Sequence, residues 1–251
     1  MITPARAGHE NMAIDEALLD RARTSGEAVL RVYAWSRPTL SFGRHQRARG
    51  IWEPERARGM GVDFVRRPTG GRALLHHHEI TYSVSAPVQP GTSARASYDA
   101  INRLLLDGLA RLGVAASLAA PSVRAALPDA APCFERPALG EIVVNDRKLI
   151  GSAQWRERDA YLQHGSILLD DDQALVRTLA GNGVPEAALA ATLRDALGRA
   201  PELDEVAGTL VDAVRDRIDS GLEPIDFSEI PRDHFERLDE HYRDDDWTWR
   251  R

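Results

Sequence analysis

The stretch Cys133–Leu169 reads CFERPALGEIVVNDRKLIGSAQWRERDAYLQHGSILL. Its apolar runs Glu141–Val144 and Lys148–Ala153 are separated by Asn145-Asp146, a pattern that predicts strand, tight turn and strand. The Asp-Arg pair within that turn lacks the glycine of the commonest two-residue hairpins. Tyr161–Leu169 predicts a further strand. Lys148 then opens the returning strand of the hairpin. Cys133 stands in a loop, between Pro132 on one side and Glu135-Arg136-Pro137 on the other, with fourteen residues in which to fold back toward the lysine.

Working outward, Glu10–Arg23 has apolar residues at helical spacing, acids early and arginines late, as the helix dipole prefers. Ala28–Trp35 and Thr39–Gly43 predict strands separated by Arg37-Pro38. Val62–Arg67 is a short strand ending in the compulsory turn Pro68-Thr69-Gly70-Gly71, and Ala73–Ser85 is extended again. Ser97–Leu112 predicts a second amphipathic helix, with Ser97 as N-cap and Gly113 just past its end. Ala115–Pro132 reads as a loop. Beyond Asp170 the periodicity is helical, over Asp171–Gly181, Glu186–Gly198, Glu202–Asp219 and Phe227–Tyr242. These elements predict an α+β (mixed α/β) chain, with a sheet-rich core over 1–170 and a helical part over 171–251.

Composition excludes several classes. The 251 residues are 43% hydrophobic and 28% charged, ordinary for a globular protein. No apolar run reaches the ~18 residues of a membrane span, and no signal-peptide core opens the chain. A net charge of −6 argues against a nucleic-acid binder. A single cysteine cannot form an internal disulfide, so a cytoplasmic location is expected. Of the 32 basic residues only Lys148 is lysine. Arginine replaces lysine on a solvated face, but it cannot give up its proton. A lone lysine fifteen residues from a lone cysteine therefore favours chemistry over a hairpin surface charge and a buried small hydrophobe.

Two other motifs stand out. In Arg66-Arg67-Pro68-Thr69-Gly70-Gly71-Arg72-Ala73 the glycines permit close backbone approach, and three arginines offer positive charge to an anion; a plain turn with solvated arginines is the alternative. His76-His77-His78, drawn as an extended strand, puts His76 and His78 on one face and His77 on the other, two ligands at most, so no metal is expected. His76 or His78 lining a ligand pocket is the preferred reading.

Arg66–Ala73 with His76 and Tyr82-Ser83, together with Lys148–Gln154 and Leu162–Ser166, resembles the lipoate–protein ligase and octanoyltransferase family. The segments Asn11–Leu19 and Tyr242–Arg251 add to the likeness, which spans most of the chain. It implies a biotin/lipoate-ligase fold, a mainly antiparallel mixed sheet flanked by helices in one catalytic domain over 1–251. It also implies Cys133 and Lys148 as catalytic residues, and Arg67, Thr69, Gly70, Gly71, Arg72, Ala73, His76, Gly151, Ser152, Ala153 and His164 as substrate-binding residues.

Within the family, the ATP-dependent ligases carry a third glycine in the turn and an aspartate after the motif histidine, where this chain has Arg72 and His77. They often also have an extra C-terminal domain. Cysteine-dependent transferases instead carry a cysteine about fifteen residues before the lysine, as Cys133 stands to Lys148. The resemblance thus implies transfer of an octanoyl or lipoyl group from acyl carrier protein to a lipoyl-domain protein, such as the glycine-cleavage H protein. No cofactor is expected for that reaction; ATP and Mg²⁺ enter only for the ligase alternative. A non-catalytic lipoyl-domain binder is the third reading. Leu74, Val84 and Ile150 are the expected walls of an acyl channel, and Arg66, Arg67, Arg72, Arg156 and Arg158 the expected docking field for acidic partners.

Overall fold

The computed structural model describes residues 1–119, 140–180 and 188–251. In chain order its elements are β1 (Ile2–Arg6), α1 (Gly8–Ser25), β2 (Val29–Trp35), β3 (Thr39–Phe42), α2 (Pro54–Gly59), β4 (Asp63–Arg66), β5 (Leu74–His76), β6 (Glu79–Pro87), α3 (Ala94–Arg111), β7 (Ser117–Leu118), β8 (Ile142–Val144), β9 (Arg147–Arg156) and β10 (Ala160–Leu168). The helices α4 (Leu175–Leu179), α5 (Leu193–Leu197), α6 (Leu203–Arg217), α7 (Arg232–Arg243) and α8 (Asp245–Thr248) follow, with a 3₁₀ turn at Phe227–Glu229.

Seven strands form the main sheet in the order β1-β2-β6-β10-β9-β8-β7, and β4-β3-β5 form a smaller one. Among the described residues only β1/β2 and β3/β4 pair in parallel. The mixed, mainly antiparallel α+β class is thus as expected. Helices α3 and α6 cover one face of the main sheet, where Ile101, Leu105 and Leu210 pack with Val32, Ile80, Tyr82, Ile150 and Ile167. On the other face α1 brings Met12 and Ala13 against Tyr33, Trp35, Val65 and Tyr242.

The hairpin forms as predicted. Asn145 and Asp146 have φ of 49° and 59°, so Asp146 takes the left-handed position usually given to glycine, as its short polar side chain permits. Five expectations change. The second helix starts earlier, because Ser93, not Ser97, accepts the capping bond from the Ala96 N–H. The extended run 73–85 breaks at His77-His78 into β5 and β6. Among the described residues the expected helices at 171–181 and 186–198 are confined to α4 and α5, and 227–242 divides at Pro231, just before α7.

Candidate active site

Strand pairing builds the site in rows across one face of the main sheet. Arg31, Ser83, His164 and Ala153 lie directly opposite one another on β2, β6, β10 and β9. Tyr33, Thr81, Ser166 and Gly151 form the next row. Above them lies a narrow, largely apolar cavity, lined among others by Met12, Trp35, Leu74, His76, Thr81 and Ala153.

Two buried carboxylates organise the polar atoms here. Asp15, on α1, accepts hydrogen bonds from Arg31 (2.8 Å), Ser83 (2.8 Å) and Tyr33 (2.8 Å), and lies 3.1 Å from His164 Nδ1. Burial pushes its carboxyl up, but Arg31, His164 and Ser83 outweigh that and hold it below the usual carboxylate range. The far nitrogen of His164 lies 2.6 Å from the Thr69 hydroxyl. Asp15, His164 and Thr69 thus form a continuous buried chain from the first helix to the glycine turn. With Nδ1–H turned to the carboxylate, Nε2 accepts from Thr69.

Glu79, at the start of β6, accepts from Thr81 (2.7 Å), from Ser166 and from His76 Nδ1 (3.2 Å). The other nitrogen of His76 is 2.7 Å from the Ser41 hydroxyl, and its ring stacks on Trp35 at 3.9 Å. Burial lowers the His76 pKa despite the pull of Glu79, so the ring is neutral at pH 7. Trp35 Nε1–H donates to the Thr81 hydroxyl at 2.8 Å. Three of the side chains bonded to this carboxylate line the cavity.

The glycine turn is held from within. Arg67 donates to the Ser41 carbonyl (2.9 Å), the Gly70 carbonyl (3.0 Å) and the Arg72 carbonyl (2.9 Å). Gly71 has φ of +95°, and a Cβ on Gly43 would lie 2.0 Å from the Gly71 carbonyl oxygen, so both positions require glycine. Arg66 is likewise sealed, donating to the carbonyls of Gly43 (2.7 Å), Gln46 (2.8 Å) and Thr248 (2.9 Å). Burial, then Arg250, Arg251 and Arg67, lower its pKa to about 10.

Lys148 lies on β9 opposite Val143, with only 3% of its side chain exposed. Its Nζ donates to Glu141 Oε1 at 2.7 Å. Burial, and then the Glu141 charge, raise the pKa of the nearby Tyr98. Ser152 borders the cavity and is 2.7 Å from the Tyr82 hydroxyl, across Gly165, where a Cβ would lie 2.7 Å from Ser152 Oγ.

Of the residues expected at the site, Arg67, Gly71, His76, Gly151, Ser152, Ala153 and His164 line the cavity. Thr69 contacts it through His164, while Gly70 and Arg72 serve as carbonyl acceptors for Arg67. Ala73 instead packs in the core of the smaller sheet with Leu40 and Leu75. Cys133 lies outside the described residues. Of the expected acyl walls, Leu74 lines the cavity, but Val84 and Ile150 belong to the cluster beneath α3, on the opposite face. The expected docking field also changes: Arg66 and Arg67 are buried, and Arg156 donates to the Thr92 carbonyl, which leaves Arg158 exposed and Arg72 half-buried.

Sequence reasoning missed Asp15, Arg31, Glu79 and Glu141. A signal existed for two of them. Arg31 interrupts the apolar strand VLRVYAW, and Asn11 and Asp15 share the helix face of Leu18, Leu19 and Ala22.

The family described as Lipoyl protein ligase A/B catalytic domain matches residues 7–215. An octanoyltransferase LipM from Kyrpidia tusciae is 40% identical, covering 96% of this chain and 94% of its own. The protein of the same name from Lysinibacillus sphaericus is 37% identical over the same shares. Among solved structures, a putative lipoate protein ligase from T. acidophilum with bound lipoic acid superposes with a TM-score of 0.74 at 18% identity, covering 99% of this chain and 98% of its own. A lipoate-protein ligase A bound with ATP gives 0.75 at 20%, covering 99% and 96%. At such identities these two likenesses establish the fold.

Proposed function

The chain belongs to the lipoyl protein ligase A/B catalytic-domain family, and from that premise we propose that it is a cytoplasmic acyltransferase. In this reading it moves an octanoyl group from acyl carrier protein, through a thioester on Cys133, to a lysine of a lipoyl domain. The observation that carries the reading is the placement of the only lysine. It is buried as an ion pair on the strand whose Gly151, Ser152 and Ala153 line an apolar cavity. The relatives named octanoyltransferase LipM support the choice of acyl group.

The steps follow from the residues. The Lys148 ammonium, paired with Glu141, favours the Cys133 thiolate, the nucleophilic form of the thiol. The thiolate adds to the thioester carbonyl of the donor. Collapse of the tetrahedral adduct expels the carrier thiolate, which takes up a proton, and leaves acyl-Cys133. The neutral amine of the acceptor lysine then attacks, an amide forms, the amine proton is released and the Cys133 thiolate is regenerated. Lys148 and the backbone near Gly70-Gly71 are the donors suited to the developing oxyanion. The acyl tail runs between Leu74, Met12 and the Trp35–His76 ring pair. Six buried methylenes contribute about 5 kcal/mol at ~0.8 kcal/mol each. The reaction calls for no cofactor.

The test is intact mass spectrometry of the full chain after incubation with octanoyl-acyl carrier protein, without ATP, and then with hydroxylamine. The expected result is one hydroxylamine-labile octanoyl group on Cys133, absent from Cys133→Ser. Retained lipoylation by Cys133→Ser with ATP and free acid would contradict the thioester route and support the ligase reading. Lipoyl-domain binding with neither reaction would support a binding module.

A further inference from the structure

The histidine run is only partly absorbed by the cavity. His76 ends β5 and faces inward, but His77 and His78 form the exposed link to β6 and turn the same way, not to opposite faces. Their rings stack at 3.8 Å, and both Nδ1 atoms converge on one oxygen of Asp172, at 2.8 Å from His77 and 3.4 Å from His78. All three candidate ligand atoms lie within 4.8 Å of one another.

Backbone bonds hold this arrangement in place. The His78 carbonyl accepts from the Leu169 N–H (2.9 Å) and the Asp170 N–H (3.2 Å), which fixes the following loop beneath the turn. Asp171 binds the Gln173 N–H and the Ala190 N–H. Gln173 in turn clamps both backbone groups of Leu75, between the cavity residues Leu74 and His76. The ligand-bearing segments are therefore tied together at several points apart from the ligands themselves.

We infer that His77, His78 and Asp172 form a binding site for a borderline transition-metal dication of the zinc class, fastening the β5–β6 turn to the loop after β10. Metal–ligand distances near 2.0–2.1 Å in a tetrahedron place ligand atoms about 3.3 Å apart. The His78–Asp172 separation already matches that value, and the His77–Asp172 one needs to open by about half an ångström. Two imidazoles and one carboxylate suit zinc, with water completing the shell, whereas Mg²⁺ and Ca²⁺ require mainly oxygen. Three consecutive acids, Asp170, Asp171 and Asp172, favour a cation here. On binding, each imidazole presents an unprotonated Nδ1 and keeps its proton on Nε2. Coupled to Leu75 through Gln173, the metal stiffens one wall of the cavity and takes no part in acyl transfer.

The test uses the full chain without a histidine tag, stripped with chelator and titrated with Zn²⁺ by calorimetry and with Co²⁺ by visible absorption. The expected result is one Zn²⁺ per chain and a melting temperature raised by roughly 5–10 °C at hundredfold excess over Kd. The Co²⁺ spectrum should lack a thiolate charge-transfer band. His78→Ala and Asp172→Asn should each lose the site while folding and transferring acyl groups as the parent does. Absence of stoichiometric binding, binding unchanged in both variants, or a thiolate band that places the metal on Cys133 would overturn the inference.

Discussion

Two buried ion pairs serve this molecule differently. Arg31–Asp15 is fully enclosed, and its guanidinium spreads donors over Thr3, the Asn11 carbonyl, the Asn11 side chain and Asp15 while lying on the Tyr33 ring. Lys148–Glu141 ties β9 to the residue that precedes β8, with Lys148 on the strand that carries Gly151, Ser152 and Ala153 into the cavity wall. A planar fork of fixed charge suits the first place, because many acceptors must be met in one geometry. In the proposed transfer a compact ammonium suits the second, where its charge would act on the Cys133 thiol. On that proposal the division accounts for one lysine in a chain whose other basic residues are all arginine.

The contrast breaks most visibly at Asp15. Asp15→Asn leaves the Arg31 charge buried and unpaired and should cost about 3–5 kcal/mol by urea unfolding. The double variant Arg31→Met with Asp15→Leu should recover most of that loss, yet remain inactive because His164 and Thr69 lose their anchor. Gly165→Ala ranks next. Its methyl group would meet the Gly151 carbonyl, Ser152 and Tyr82 within 2.7 Å, so a loss of about 1–3 kcal/mol is expected, with a larger fall in acyl transfer than in thermal stability. Glu79→Gln keeps the shape but removes the charge that three donors share, and should cost about 1–2 kcal/mol.

The smallest effect concerns pH. The His76 pKa is lower folded than unfolded. Its contribution to stability is therefore complete above the unfolded value, near 6.5, and is lost as pH falls through the folded one. The melting temperature should decline on acidification below about pH 6.5, and less steeply in His76→Gln.

Much of the fold was legible in sequence, because turns and periodicity are local signals. Asn145-Asp146 and Pro68–Gly71 marked their turns, and Glu10–Arg23 its helix. The site was harder to read because its strands break a common rule. Glu79, Thr81, Ser83 and Ser85 alternate with Ile80, Tyr82 and Val84, which ordinarily means one wet face. Here the polar row is buried too, turned toward α1 and the cavity, where it binds Asp15 and the Trp35 indole. The same alternation misplaced Val84, whose apolar character, like that of Ile150 on β9, marks the core beneath α3. Arg66 and Arg67 looked like anion ligands, because nothing local shows that backbone carbonyls from distant segments will surround them. Glu141 was read as one end of a hairpin strand, and only the folded side chains show it bonded to Lys148.

The division of labour between the two pairs is tested most directly by Lys148→Arg, a change that keeps the charge and alters its shape. Single-turnover octanoyl transfer to a lipoyl-domain lysine should fall at least about a hundredfold, equivalent to about 2.7 kcal/mol of transition-state stabilisation, while the melting temperature stays within a few degrees of the parent. Transfer within twofold of the parent would mean that any cation suffices beside Glu141, and would contradict the role assigned to the only lysine.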